Sequence, residues 1–74
     1  MHAQGPIEAL NVSGPHDGDV TVEGIKFIVT QSTILEDETG NDITLNDFAV
    51  GEEVDAWGPT PVNNETTARK IRKR

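Results

Sequence analysis

Short runs of alternating apolar residues, cut by glycine-bearing turns, constrain this chain more than any other feature. No stretch carries the i, i+3, i+4, i+7 spacing of an amphipathic helix. Val20 and Val22 share one parity, and Ile25, Phe27 and Val29 share another across Glu23-Gly24. Period-2 alternation puts each set on one face of a strand. Glycine readily takes the positive φ of a two-residue hairpin turn, so 19–22 and 25–30 form a hairpin.

Further strands are expected on the same grounds. Gly5 to Val12 carries Ile7, Ala9, Leu10 and Val12, and the parity change between Ala9 and Leu10 predicts a bulge. Gly14-Pro15-His16-Asp17-Gly18 reads as a turn. Thr33, Ile34 and Leu35 read as a continuation of the third strand, followed by a polar loop over 36–42. About one helical turn is expected near Leu45 to Phe48, ended by Gly51. A strand over 52–58 faces Val54 and Ala56 inward, or Trp57 if the register slips. Two prolines, Pro59 and Pro61, forbid a central strand in the next loop. A last strand spans 66–73 with Ala68 and Ile71, fraying past Arg72.

At 74 residues there is room for one domain, 1–74, with an ordered core over about 5–71. A chain this short buries about 60% of its unfolded surface. An open sheet of this size leaves two edges free, so closure is expected. The fold class is therefore all-β: a small closed or partly open barrel of five to six strands, OB-like or SH3-like, with one short helical turn. Its core should hold Ile7, Leu10, Val20, Val22, Ile25, Phe27, Val29, Leu45, Phe48, Val54, Ala56, Ala68 and Ile71.

The net charge of −7 conceals an asymmetry. All 13 acidic residues lie between Glu8 and Glu65, opposed there by Lys26 alone, while the other five basic residues crowd into the tail 69–74. An acidic body repels nucleic acid and anionic lipid, which disfavours both as partners. There is no cysteine, so disulfides and thiolate chemistry are excluded. No apolar run is long enough to span a bilayer. Met1 to Gln4 lacks the features of a signal peptide, although a segment excised from an exported protein would read the same way.

The sites the residues suggest are few. Asp37, Glu38, Asn41 and Asp42 supply the hard oxygens that calcium prefers, but their spacing misses the EF-hand pattern, and an ordinary solvated turn accounts for them. His2, in an N-terminal end expected to be loose, and His16, in a turn, are the only imidazoles, too few and too separated for a transition-metal site. Trp57 beside Gly58-Pro59 could present a stacking surface to a ligand or partner, or cap the end of the core. The tail 69–74 could meet an acidic partner, or pair with acids across strands. No catalytic residue and no cofactor site is read: Ser13 and Ser32 lack a recognisable base, and there is no phosphate-binding glycine loop.

Several stretches together resemble an uncharacterised bacterial family, the domain of unknown function numbered five-six-six-six. They are Gly5-Pro6-Ile7, Val20-Thr21-Val22-Glu23-Gly24-Ile25, Thr33, Leu45-Asn46-Asp47-Phe48-Ala49-Val50-Gly51-Glu52-Glu53-Val54 and Ala68-Arg69-Lys70-Ile71. Phe48 stands where the family tends to have leucine. The resemblance implies a small β-barrel, often in an exported setting, and carries over no catalytic or ligand residue. The function expected is a non-enzymatic interaction or structural module with a protein or domain partner. The alternative is a small-ligand or cation-binding barrel using the loop 36–42 or Trp57, and single-stranded nucleic-acid binding ranks last.

Overall fold

The computed structural model describes residues 1–74. It is all-β, with eight short strands and one 3₁₀ turn, η1, at Leu45–Asp47. The strands are β1 His2–Pro6, β2 Ala9–Gly14, β3 Asp17–Val22, β4 Ile25–Val29, β5 Ile34–Glu36, β6 Glu53–Trp57, β7 Glu65–Thr67 and β8 Lys70–Lys73. They form two four-stranded sheets, ordered β1-β6-β8-β5 and β2-β3-β4-β7. Most neighbours are antiparallel; β5 with β8 and β4 with β7 are parallel. No helix is long and apolar enough to cross a membrane.

The hairpin anticipated at Glu23-Gly24 joins β3 to β4, with φ of 53° and 74° at the two turn residues. Positive φ at both positions twists the turn to match the strands it joins. A second two-residue turn, Asn63-Asn64 with φ of 53° and 60°, returns the chain from Val62 to Glu65.

Three expected elements are divided differently. The first strand is two: β1 lies in the first sheet and β2 in the second, and Ile7-Glu8 makes the crossing. The parity change read as a bulge between Ala9 and Leu10 accompanies this change of sheet, while the register shift itself falls between Val12 and Gly14. The N-terminal end is not loose, because His2–Pro6 pairs along its whole length with β6. The last strand is likewise two, β7 and β8, parted at Ala68-Arg69. Ile34–Glu36 does not extend the third strand. It crosses to the first sheet and pairs with β8 as β5. Thr33 sits at that crossing. Its buried hydroxyl donates to Ala68 O at 2.7 Å and accepts the Thr30 N–H at 3.0 Å, which ties the β4–β5 corner to the β7–β8 corner.

The residues past Arg72, expected to fray, are paired in the sheet. Lys73 belongs to β8, which lies between β6 and β5, and the Arg74 N–H donates to Glu53 O at 3.0 Å.

The core contains 13 apolar residues. Val20, Val22, Phe27, Val29, Val54, Ala56, Ala68 and Ile71 come from the strands and their junctions, as the alternation requires. Leu45 and Phe48 fold in from either end of η1, whose start is held by the Thr44 N–H donating to Asp47 Oδ2 at 2.9 Å. Leu10 and Ile25, expected inside, are half-buried and pack against the core, whereas Ala3 and Leu35 are fully inside. Both of the latter lie on strands that the alternation did not resolve.

Candidate functional site

Burial of Ala3, Val54, Ala56, Leu35 and Ile71 turns their strand neighbours to the outer face of the first sheet. Register aligns these neighbours in rows. His2 faces Trp57, Trp57 faces Lys70, and Lys70 faces Ile34. One row on, Gln4, Asp55, Arg72 and Glu36 lie side by side. Trp57 thus stands among residues from four strands.

The indole is half-buried and flanked from both sides. The His2 ring, from β1, stacks on it with centroids 4.9 Å apart and planes 11° apart. The Lys70 ammonium, from β8, lies 5.5 Å from the ring centroid, within cation–π range. His2 Nε2 is hydrogen-bonded to Asp55 Oδ1 at 2.7 Å, and Arg74 Nε approaches Asp55 Oδ2 at 3.7 Å. On the other side Lys70 Nζ is 3.1 Å from Glu36 Oε1, and Arg72 Nη1 is 4.0 Å from the same oxygen. That oxygen has no formal hydrogen-bond partner, so the ammonium contact is what answers its burial.

The basic tail is therefore a strand, and four of its five cations are ion-paired: Lys70, Arg72, Lys73 with Glu52 at 3.1 Å, and Arg74. Arg69, exposed at the β7–β8 corner, has no such partner. Partly exposed pairs are worth about 0–1 kcal/mol each, so their main effect is to order this face. Because His2 and Lys70 already flank the indole, a base or sugar would have to displace one of them to stack there. The surface suits a broad, flat contact with charges and one aromatic group in fixed places.

The loop 36–42 is arranged otherwise. Asp37 Oδ1 accepts the backbone N–H groups of Asn41 and Thr39, each at 2.9 Å, and the Thr39 hydroxyl at 2.8 Å. The Asn41 N–H leads these donors in lowering the Asp37 pKa from 3.8 to about 2. The Asn41 side-chain amide donates to Thr39 Oγ1 at 2.8 Å. Glu38 and Asp42 are exposed, and the Glu38 carbonyl accepts from Arg72. Asp37 is thus engaged in closing its own loop. No group of three or more His, Cys, Asp or Glu side chains gathers in metal-binding geometry. His16 lies apart, in an open groove of about 360 Å³ between the β2–β3 turn and the end of β4, with Asp17, Ile28 and Gln31 also on its walls.

The sequence marks out Trp57 but not the residues beside it: Lys70 falls in the expected last strand 66–73 and the basic run 69–74, His2 in the end expected to be loose, and both reach the indole only through the strand ladder. The one local signal was the alternation of His2 and Gln4 with Ala3 and Gly5, too weak without a partner strand.

No curated protein and no solved structure matches this chain. A family model described as Domain of unknown function (DUF5666) matches residues 4–72, from β1 to β8. The chain belongs to the DUF5666 family.

Proposed function

We propose that this chain is a non-enzymatic protein-interaction module, built as a partly open OB-like barrel, that meets its partner through the outer face of the first sheet. The barrel reading rests on the two crossings. β1 runs into β2 and β7 into β8 through two residues each, so the chain itself joins the two sheets at both places, although no strand pairing crosses from one to the other. In this reading η1 plugs one end, with Leu45 inside.

The observation that carries the functional reading is the row His2, Trp57, Lys70. An aromatic ring already held in place by its neighbours is favoured at protein contacts, because aromatic residues are enriched there and binding costs a fixed ring little further entropy.

The test is a photo-crosslinking residue at Ile34, which is exposed, faces Lys70 and leaves the row intact, compared with the same group at Thr60 in the loop after Trp57, in cells that produce the chain. A discrete protein conjugate from position 34, absent from position 60 and lost with Lys70→Glu, is the expected result. Equal labelling from both positions, or none from position 34 in a folded chain, refutes the face.

A further inference from the structure

Strand β2 differs from every other strand of the molecule. None of its six residues is buried and none is charged. Val12 is 42% exposed although it has the same parity as half-buried Leu10.

The direction of its backbone groups follows from the neighbouring hairpin. A two-residue turn closes on a pair that exchanges both hydrogen bonds, here Val22 and Ile25. Alternation then turns Val20 and Gly18 toward β4, and Thr21 and Asp19 toward β2. The Glu8 N–H donating to Thr21 O at 2.8 Å agrees with this. The partners of Thr21 and Asp19 are Ala9 and Asn11. Leu10 and Val12 consequently direct their N–H and C=O groups away from the sheet, and no turn or loop bond reaches any of the four.

The other edges are guarded. On β1 the Gln4 N–H is taken by Glu23 Oε2 at 2.9 Å, and Pro6 has no N–H to offer. On β5 the Leu35 carbonyl accepts from Ile43. The β7 edge is flanked by the Val62–Glu65 bridge. η1 packs beside β2, yet no turn or loop hydrogen bond takes its outward groups, and an edge with free backbone groups is a template for another strand.

Charge selects among candidate strands. Glu8 precedes β2 and accepts the Gly24 N–H at 3.0 Å, Asp17 opens β3 opposite Gly14, Asp19 accepts from the Asn11 amide at 3.0 Å, and the one cation of the second sheet, Lys26, is paired with Glu65. A second copy of a chain with net charge −7 is repelled from such an edge.

We propose that β2 accepts an extended basic segment of a partner protein as an added strand of the second sheet. Leu10 and Val12 supply the backbone ladder, and Glu8 and Asp17 attract the incoming cations. This surface is on a different sheet from Trp57 and stands or falls separately from it.

The test titrates isotope-labelled full-length chain with a short synthetic peptide of alternating lysine and valine, and with its glutamate–valine counterpart. The lysine peptide should shift the Leu10 and Val12 amides, slow their hydrogen exchange and bind at least about tenfold tighter than the glutamate peptide. Val12→Pro removes an outward donor while sparing the native ladder, and should cost about tenfold in affinity with the rest of the spectrum unchanged. If that variant misfolds, Val12→Lys replaces it and should weaken the lysine peptide through like charge. The proposal is overturned by shifts confined to Trp57 and Lys70, by indifference to peptide charge, by no shift at millimolar peptide, or by a dimer that forms through β2 without peptide.

Discussion

Gly18→Ala is the most severe single-methyl perturbation this fold offers. Gly18 has a φ of 151°, a region that side chains seldom enter. A Cβ there would overlap the Asn11 carbonyl oxygen on β2 and come within 2.8 Å of Leu45 Cδ2. The first obstacle is backbone and the second is core, so neither yields by rotating an exposed side chain. Backbone strain of this kind costs about 1–3 kcal/mol, and overpacking a filled core costs about 1–3 kcal/mol more. A domain of this length holds on the order of 3–5 kcal/mol in total. Gly18→Ala should therefore leave the chain largely unfolded or close to its midpoint without denaturant. Gly24→Ala is the control: its φ is 74°, nothing lies within 4 Å of the added carbon, and only the left-handed backbone penalty of about 1–2 kcal/mol applies. Urea unfolding followed by Trp57 fluorescence and by circular dichroism measures both. Equal midpoints for the two variants would refute the argument, because the β2–β3 approach and the seating of Leu45 would then not be tight.

Three further outcomes follow from the packing and hydrogen bonds. Leu35→Ala, on a strand of only three residues, should lose about 2–5 kcal/mol in the same assay, since Leu35 is fully buried. Glu23→Ala should release the Gln4 N–H and speed its exchange relative to Ala3, and unchanged exchange would refute a guarding role for Glu23. The Asp37 carboxyl, followed by carbon NMR, should titrate near 2 rather than 3.8. Its folded pKa lies below the unfolded one, so its contribution to stability is present above 3.8 and lost as pH falls toward 2. An Asp37→Ala variant should thus be less stable than the parent at neutral pH and converge on it in acid.

The legible parts of this protein were those written locally. Val20, Val22, Ile25, Phe27 and Val29 around Glu23-Gly24 specify a hairpin because the turn and both alternations agree. Val54 and Ala56 mark the inner face of β6, and Leu45 with Phe48 flank a helical turn whose Asn46 and Asp47 would not sustain a longer one. Less legible were Ala3, Leu35 and the corners. Three residues of β5 are too few for alternation to register, and Ala3 is small enough to pass for a loop residue. Ala68-Arg69 carries no turn signal, because a strand that changes sheets needs only a bend.

The candidate site divides in the same way. Trp57 is conspicuous as the one tryptophan, and the acids of 36–42 as a cluster. Their roles were not conspicuous. The Asp37 carboxylate spends its oxygens on loop closure two and four residues away, whereas His2 meets Trp57 only across the β1–β6 ladder.

By itself, then, the sequence determined the all-β class, the β3–β4 hairpin, most of the core and the asymmetry of charge, because each depends on residues within a few positions of one another. Tertiary structure alone decided which acids the basic residues of the last strand meet, that His2 and Lys70 flank Trp57, and that β2 keeps an open edge. Those outcomes depend on which strands become neighbours. Pairing between residues as distant as His2 and Trp57 is settled by closing the whole chain around its core.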